Sequence, residues 1–307
     1  MNKLIIVGAG MAGLLAANLL RHRNPIVYES ASSLPNNHSA LLRFRTPLVG
    51  EVLGIPFKKV KVTKSTLPWK NPVADSLSYS FKNLGVYRSD RSLSHKTEVV
   101  DRWIAPHNLV SRMARGVDIV YGKKYDFSEG GKVISTIPMP DLMRALGGDP
   151  SHEFAYFPGT NVTAKIDDCD CYVSLAVPNP GYPFSRVSIT GNEMIVEVSH
   201  SFMKPQGNLI QQIADWAVDM TGINRTHLSN VKAHEQRYAK IAPINEDYRK
   251  GFIHHASSIL GKAFSLGRFA TWRPGLLMDD LVQDIRKIDS WIDSGSSGYD
   301  MDVHSRR

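Results

Sequence analysis

The sequence has 307 residues, a formal net charge of +8, a hydrophobic content of 42% and a charged content of 21%. This composition is typical of a folded globular protein and excludes a disordered or collagen-like chain. No apolar run reaches the ~18 residues that a transmembrane helix needs, so we expect no membrane partner. The N-terminus lacks the basic segment and the small-residue cleavage site of a secretory signal, so we expect an intracellular, cytoplasmic protein.

The positive charge is concentrated in the first half of the chain. Residues 1–150 hold 21 Lys+Arg and 11 Asp+Glu, whereas residues 151–307 hold 16 and 18. Much of the excess falls within residues 57–102, where lysines and arginines are mixed with aromatic residues. Such a segment can bind along the backbone of a polyanion, so DNA is a candidate partner. The alternative is that the segment is a solvated surface that binds no ligand.

The first predicted elements are a strand, a glycine-rich turn and a helix. The apolar run KLIIV precedes Gly8-x-Gly10-x-x-Gly13, and a second short strand ends at Glu29. In the dinucleotide-binding motif the glycines permit a tight turn, a close approach of the pyrophosphate and close packing of helix on strand. An acid about 20 residues later binds the ribose. The sequence therefore predicts a dinucleotide site, without distinguishing NAD from FAD.

The remaining elements predict two different sheets. Residues 30–110 are irregular and basic, a short helix follows near Asn108, and VDIVYG and GGKVIS are the next strands. Alternating apolar residues predict several strands between about 153 and 202, and a helix follows at about 207–221. We therefore predict an α/β protein with a Rossmann-like domain and a second domain built on a mixed β-sheet.

These elements also suggest domain boundaries. We assign residues 1–40, 105–150 and 250–293 to a discontinuous nucleotide-binding domain, 41–104 to a short basic insert, 151–249 to a substrate domain and 294–307 to a disordered tail. Cys169 and Cys171 are expected to be reduced thiols, because disulfides are rare in the intracellular compartment expected for this chain. No spacing of His, Cys and Asp predicts a metal site.

Six segments occur in the order found in FAD-dependent amine oxidases, and within that superfamily the chain most resembles UDP-galactopyranose mutase. They are GAGMAG…VYES, VDIVYG, VISTIP, YPFSRVSI, YAKIAPINEDYRK and FSLGRFATWRPGLLMDDLVQDI. The last is the most specific, since mutases carry Gly-Arg, an aromatic, a basic residue and Met-Asp in this order. The resemblance implies an FAD-binding domain of the glutathione-reductase type with noncovalent FAD.

The resemblance also implies site residues. Arg268 would lie near the FAD pyrophosphate, and the helix that begins near Asp279 would direct its N–H groups at the flavin, which favours an anionic reduced flavin. The strand VDIVYG would contact the adenine. The implied cofactor residues are Gly8, Gly10, Met11, Ala12, Gly13, Glu29, Ser30, Arg43, Val117, Ile119, Thr136, Gly267, Arg268, Leu277, Met278 and Asp279. The implied catalytic residues are Arg45, Arg186, Tyr238 and Trp272.

Four arginines are candidates for binding an anionic substrate. Arg43, Arg45, Arg186 and Arg273 would form a wall suited to phosphate or carboxylate, because the guanidinium group binds both in a bidentate manner. The alternative is that they pair with the protein's own acids. Core packing is likewise the alternative for Trp272.

The chain departs from the mutase pattern at three places. The segment SSLPNNHSA lacks the second glycine pair of the mutases, and LRFRT places Leu42 and Arg45 where mutases carry two histidines. Residues 50–105 are too few for the helical insert that binds the uridine nucleotide. The resemblance therefore supports the flavin core more than the mutase substrate.

Three functions remain open. The first is an FAD-dependent oxidoreductase that oxidises a C–N bond of an anionic substrate, such as a modified nucleotide or an amino-modified DNA base, which would have to leave the base stack. The second is a mutase-type isomerase that uses reduced flavin without net redox change. The third is a protein that binds FAD without catalysis. The compact chain also resembles virus-encoded flavoproteins linked to thymidine hypermodification, which would place it in an infected host cell.

Overall fold

The computed structural model describes residues 3–34, 42–89, 93–129, 131–149, 154–260 and 263–294. The helices are α1 (Met11–Leu19), α2 (Leu48–Leu53), α3 (Pro72–Leu84), α4 (Leu109–Ala114), α5 (Met139–Ala145), α6 (Asn208–Thr221), α7 (Glu246–Ile259) and α8 (Met278–Trp291). The strands are β1 (Leu4–Val7), β2 (Ile26–Glu29), β3 (Arg43–Phe44), β4 (Lys58–Thr66), β5 (Glu98–Ile104), β6 (Asp118–Tyr121), β7 (Lys132–Ser135), β8 (Tyr156–Ile166), β9 (Cys171–Ala176), β10 (Arg186–Gly191), β11 (Glu193–Ser199), β12 (Leu228–Ile241) and β13 (Ala263–Ser265). Most of SSLPNNHSA, and all of the expected tail except its first residue, lie outside the described residues.

Sheet A is parallel and has the strand order β13-β7-β1-β2-β6. All four residues of β1 are buried, as expected for a central strand of a parallel sheet with both faces covered. Leu14, Leu15 and Ile285 belong to one hydrophobic core in which α1 and α8 pack together. Tyr125 belongs to a smaller cluster with Ile5, from β1. This sheet confirms the predicted Rossmann-like architecture.

Sheet B is mixed and curled, with the order β12-β8-β11-β10-β9-β4-β5-β3. Its neighbouring strands are antiparallel except β4 and β9, which run parallel. Helix α6 covers one face, where Ile213 and Ala217 are fully buried against residues such as Val196. The predicted second domain on a mixed sheet is therefore confirmed as a fold class.

The segment 41–104, predicted as a short basic insert, contributes strands to sheet B. Its strands β3, β4 and β5 all belong to sheet B, and residues 63–66 of β4 pair in parallel with residues 173–176 of β9. Within β4 the lysines are largely exposed, whereas Val60 and Val62 are buried. Such alternation is typical of a half-buried strand. The sequence KKVKVTKST contains this strand pattern, but its many lysines led to its interpretation as a basic insert.

In the described ranges, no helix combines the length and apolar character required to cross a membrane. No group of three or more His, Cys, Asp or Glu in these ranges is arranged to hold a metal ion. Cys169 and Cys171 are free thiols.

Candidate functional site

The loop after β1 closes tightly around two glycines. Gly8 has a φ of +102°, and a Cβ on Gly13 would lie 1.9 Å from the Gly8 carbonyl oxygen. Thr136, after β7, donates a hydrogen bond from Oγ1 to the Val7 carbonyl at 2.8 Å. A Cβ on Gly10, in contrast, would meet nothing within 4 Å. The first turn of α1 therefore has open space in front of it, where a phosphate can reach the backbone N–H groups.

Glu29 lies at the carboxyl end of β2 and is held by backbone donors. Its Oε2 accepts the Ala9 N–H at 2.8 Å, and its Oε1 accepts the Ala31 N–H at 2.9 Å. The Ser30 hydroxyl lies 3.4 Å from Oε1. An ionised carboxylate has about four acceptor positions, so these bonds leave capacity for a ribose hydroxyl. The ribose role stays a prediction, and the carboxylate has the added role of fixing the glycine loop.

The register of β6 shows where the residues predicted near an adenine lie along the strand. Glu29 pairs with Tyr121 and Val27 pairs with Ile119, so Ile119 lies in mid-strand. Val117 precedes β6 and lies at its amino end, away from the glycine loop. Ligands of parallel α/β sheets bind at the carboxyl ends of strands. Tyr121 is therefore the better candidate, and burial together with Glu29 raises the pKa of its phenol.

The C-terminal motif returns to the glycine loop, as the resemblance implied. The Leu266 N–H donates to the Ser135 carbonyl at 2.9 Å, which continues the pairing of β13 with β7. Gly267 then adopts a φ of +102°, and a Cβ there would lie 3.1 Å from the Ala12 Cβ. Arg268 follows directly.

Asp279 joins the start of α8 to the connection between β3 and α2. Its carboxylate accepts the Thr46 N–H at 2.9 Å, the Thr46 hydroxyl at 2.8 Å and the Arg45 N–H at 3.2 Å. The next acid, Asp280, accepts the Leu277 N–H at 2.9 Å and pairs with the Arg45 guanidinium at 2.6 Å. The two carboxylates counter the partial positive charge of the helix N-terminus that was expected to face the flavin.

The predicted cofactor residues other than Val117 and Ile119 fall into two groups and one exception. Those near the glycine loop and the returning motif are Gly8, Gly10, Met11, Ala12, Gly13, Glu29, Ser30, Thr136, Gly267 and Arg268. Those at the start of α8 are Leu277, Met278 and Asp279. Arg43 belongs to neither group, because its guanidinium donates to the Thr190 hydroxyl at 2.9 Å and to the carbonyls of Val173 and Ile189. Burial, with Arg102 and Arg186 nearby, lowers the pKa of Arg43 to about 10.

A polar cluster on sheet B contains Arg186, opposite Glu197 in the β10–β11 register. Arg186 Nη1 lies 3.5 Å from Glu197 Oε1, and its Nη2 donates to the Tyr79 hydroxyl at 3.0 Å. The Lys240 ammonium lies 2.6 Å from Glu197 Oε2. Arg268 also acts electrostatically on Glu197, so the C-terminal motif lies close to sheet B. These five residues, Tyr79, Arg186, Glu197, Lys240 and Arg268, form the Glu197 cluster.

The charges of the Glu197 cluster favour an ionised carboxylate surrounded by cations. Burial alone would raise the pKa of Glu197, but Lys240 and Arg186 outweigh it and lower the pKa to about 2. Tyr79 and Glu197 raise the pKa of the Arg186 guanidinium above its ordinary value. The side chain of Arg186 remains 39% exposed. The cluster carries three cations and one anion, and its net positive charge suits an anionic ligand.

Tyr238 packs among aromatic side chains, and its hydroxyl is bound to an acid. Its hydroxyl donates to Asp141 Oδ2 at 3.0 Å, and its ring centroid lies 4.4 Å from that of Tyr156 and 5.9 Å from that of Phe269. Burial and Asp141 raise the pKa of Tyr238. The phenol is therefore neutral at physiological pH.

Trp272 and Arg273 are committed to the protein interior. The Trp272 side chain is 1% exposed, its Nε1 donates to the Ala242 carbonyl at 2.9 Å, and its ring packs edge-on against Phe154. Its φ of +49° is rare for a bulky residue, so packing offsets local strain. Arg273 pairs with Asp284 in α8. The geometry favours the packing interpretation of Trp272, and Arg45, Arg186 and Arg273 each pair with an internal acid.

The sequence analysis missed Glu197, although a local signal was available. Gly191 and Asn192 form a two-residue turn between Thr190 and Glu193, and the flanking residues alternate between apolar and polar. A Gly-Asn pair between such strands predicts a hairpin, and that hairpin places Arg186 opposite Glu197. Tyr79 and Lys240 come from distant parts of the chain. No short-range sequence pattern predicts that Tyr79 contacts Arg186 or that Lys240 contacts Glu197.

Comparison with known proteins yields structural matches only. No model of a protein family matches the chain, and no curated protein sequence matches it. Reduced UDP-galactopyranose mutase superposes with a TM-score of 0.68 at 14% identity, covering 95% of this chain and 96% of that chain. A CLA-producing fatty acid isomerase from P. acnes has a TM-score of 0.60 at 10% identity, covering 94% and 98%.

A third solved structure is aklavinone-11 hydroxylase in a ternary complex with FAD and aklavinone. It has a TM-score of 0.50 at 11% identity, covering 95% of this chain and 62% of that chain. The protein thus has the Rossmann-type fold of flavoproteins. Within that class its architecture is similar to that of UDP-galactopyranose mutase along nearly the whole length of both chains.

Proposed function

We propose that the protein is an FAD-dependent oxidoreductase that oxidises a C–N bond of an anionic substrate. The main support is the convergence of the open turn at Gly10, the carboxylate of Glu29 and the returning Gly267 beside α1. These residues fit FAD, because Gly10 leaves room for the pyrophosphate and Glu29 retains capacity for a ribose hydroxyl. When bound, FAD supplies a hydride acceptor that amino-acid side chains cannot provide.

The Glu197 cluster supports an anionic substrate. Arg186 is the half-exposed cation, while Glu197 and Tyr79 hold its guanidinium in place. Lys240 and Arg268 add positive charge around the same carboxylate. A phosphate or carboxylate on the substrate would pair with Arg186, and this contact would orient the carbon to be oxidised.

The protonation states favour hydride removal over base-driven chemistry. Glu197 has a pKa of about 2 and is bound to Lys240, and Tyr238 remains a neutral phenol. Neither group exchanges protons near neutral pH. Removal of a hydride from a C–H next to nitrogen requires orientation and electrostatics rather than a strong base. Water then hydrolyses the oxidised C–N bond, and oxygen is the proposed final electron acceptor.

An amino-modified DNA base is one substrate of this class, and β4 and β5 supply supporting charge. Lys59 and Lys61 lie on either side of Asp101, at 2.9 and 3.4 Å, and the Lys59 ammonium lies 5.4 Å from the Trp103 ring centroid. Both lysines are more than half exposed. DNA binding through this surface should weaken steeply as salt rises, more in wild type than in Lys61→Gln. No binding, or binding indifferent to salt, would remove DNA as the substrate.

A mutase-type isomerase is the second candidate, favoured by the position of Arg186. The resemblance implies that Arg186 is a catalytic residue, and Arg186 lies on sheet B in a net-positive cluster that suits a phosphate. The residues at the two histidine positions of the mutases, Leu42 and Arg45, favour the oxidoreductase instead.

The first experiment is an absorbance spectrum of the purified protein, followed anaerobically with amino-modified nucleotides, amino-modified DNA and UDP-galactopyranose. Bleaching of the band at ~450 nm by an amine, with peroxide on return of air, would support the oxidoreductase. Turnover of sugar nucleotide without net redox change, only after reduction by dithionite, would support the isomerase. A flavin that responds to neither would indicate a binding protein.

A pair of glycine variants tests where the cofactor binds. Gly10→Glu places a carboxylate in the open space before α1 and should abolish flavin binding. Gly251→Glu is the matched control, because a Cβ there also meets nothing within 4 Å, although it lies in α7. Full flavin occupancy in Gly10→Glu, or equal loss in both variants, would overturn the assignment.

A further inference from the structure

A cavity of about 410 Å³ lies where α1, α2 and α4 end. Arg21 follows α1, Val52 and Ile55 come from the end of α2, and Arg112 and Arg115 come from the end of α4. An α-helix rises 1.5 Å per residue, so the end of α1 is roughly 12 Å from its first turn. The cavity is therefore separate from the glycine loop.

Three arginines line this cavity, and its lining contains no acid. In the described part of the chain, no carboxylate oxygen lies within 4 Å of a guanidinium nitrogen of Arg21, Arg112 or Arg115, so none of the three forms an ion pair there. Arg112 and Arg115 are three residues apart at the end of α4, which places them on one side of the helix. Three like charges beside one cavity repel each other, and the negative ends of the helix dipoles compensate only part of that repulsion.

Asn18 holds Arg21 in position. Its Nδ2 donates to the Met113 carbonyl at 2.7 Å, which ties α1 to α4, and its Oδ1 accepts Arg21 Nη2 at 2.9 Å. The same Nη2 lies 3.4 Å from the Arg115 carbonyl oxygen. Arg21 is therefore oriented before any ligand arrives, which lowers the entropic cost of binding an anion.

Apolar side chains complete the cavity. Ile55 and Met113 are buried, and Val52 is half-buried. The volume lies within the range of about 300–1,000 Å³ that is usual for small-molecule sites. Guanidinium groups suit phosphate, and an apolar floor suits a ring. From these contacts we infer that the cavity is a second binding site, for a small phosphorylated molecule that carries a ring, of about the size of a nucleoside monophosphate.

The experiment is calorimetric titration of the flavin-loaded protein with guanosine 5′-monophosphate and, separately, with inorganic phosphate. The double variant Arg112→Gln/Arg115→Gln should bind the nucleotide at least about tenfold more weakly, because charge-assisted hydrogen bonds are lost. Arg286→Gln is the matched control, since Arg286 is an exposed arginine of α8 outside the cavity. It should bind as wild type does.

Four outcomes would overturn the assignment. Wild type that binds no nucleotide at millimolar concentration has no such site. If the double variant and Arg286→Gln lose the same amount of nucleotide affinity, the loss comes from the lower overall charge and not from a site in the cavity. Phosphate that binds as tightly as the nucleotide would exclude a ring-bearing ligand. The melting temperatures of wild type and the double variant are also compared with and without nucleotide. If the difference between the two proteins is the same in both conditions, the substitutions only destabilise the fold, and that result also counts against the site.

Discussion

Gly267 and Ala12, from opposite ends of the chain, touch so closely that a Cβ on Gly267 would lie 3.1 Å from the Ala12 Cβ. This contact brings the C-terminal motif onto the first turn of α1. Because a side chain at Gly267 would push against the helix end that faces the proposed pyrophosphate, packing and cofactor binding depend on the same position.

Gly267→Ala should therefore lower both stability and flavin retention. The left-handed φ alone costs an alanine roughly 1 kcal/mol or more, and the contact with Ala12 adds to it. Gly131→Ala is the control, since Gly131 has a φ of +117° but open space around it. We expect Gly267→Ala to have the lower midpoint in urea and to lose flavin on dialysis. Equal midpoints with equal flavin content would show that the contact is unimportant.

Asp279→Asn should loosen the connection between β3 and α2. The carboxylate accepts three hydrogen bonds from Arg45 and Thr46 and is 9% exposed. An amide presents only one acceptor oxygen, so we expect a loss of roughly 1–3 kcal/mol in the free energy of unfolding. Asp118→Asn, at an exposed strand position, should change it by less than about 0.5 kcal/mol. Comparable losses in urea denaturation would contradict the assigned role.

Lys82 should make stability increase with pH above neutrality. Its side chain is 1% exposed, it donates to the carbonyls of Val177 and Asn179, and burial lowers its pKa from 10.5 to about 7. Between these values the unfolded chain binds more protons than the folded one, so the free energy of unfolding rises with pH, by roughly 3–5 kcal/mol.

Urea denaturation of Lys82→Met between pH 7 and pH 10 tests this slope. The variant should lose the rise with pH, while Lys165→Met, at an exposed position of β8, should keep it. If wild type and Lys82→Met show the same pH dependence, Lys82 stays charged in the folded protein throughout.

Lys240→Met should raise the pKa of Glu197. In wild type the depressed pKa, about 2 against an ordinary 4.5, means that the stability contributed by Glu197 is complete above pH 4.5. It is lost as the pH falls towards 2. Carboxyl NMR should therefore show Glu197 titrating at higher pH in Lys240→Met than in wild type. An unchanged titration would mean that Arg186 alone keeps the carboxylate ionised.

Local patterns predicted the nucleotide-binding half well. The run into Gly8, the strand ending at Glu29 and the strand from Lys132 are each encoded within a few residues, so hydrophobic runs and glycines sufficed. The strand 58–66 was missed because its lysines dominated the interpretation of the segment. Here the alternation of Val60 and Val62 with lysines was the more reliable signal.

The partners of charged side chains were not predictable in the same way. Arg43 reaches the carbonyls of Val173 and Ile189, and Arg273 meets Asp284 only after α8 has packed. These contacts depend on tertiary packing, about which a single sequence carries no short-range signal. A residue type suited to phosphate is equally suited to an internal carboxylate, so geometry decides between them.

The path of the chain between the two sheets bears on how the protein is made. The chain begins in sheet A, supplies β3–β5 to sheet B, returns for β6 and β7, leaves again for β8–β12 and comes back with β13. On a ribosome, neither sheet can be finished from a contiguous stretch of nascent polypeptide. Strand β4 must wait for β9, and β7 must wait for β13. The newborn chain therefore exposes unpaired strand edges until its last elements emerge, which makes synthesis the stage at which chaperones would matter most.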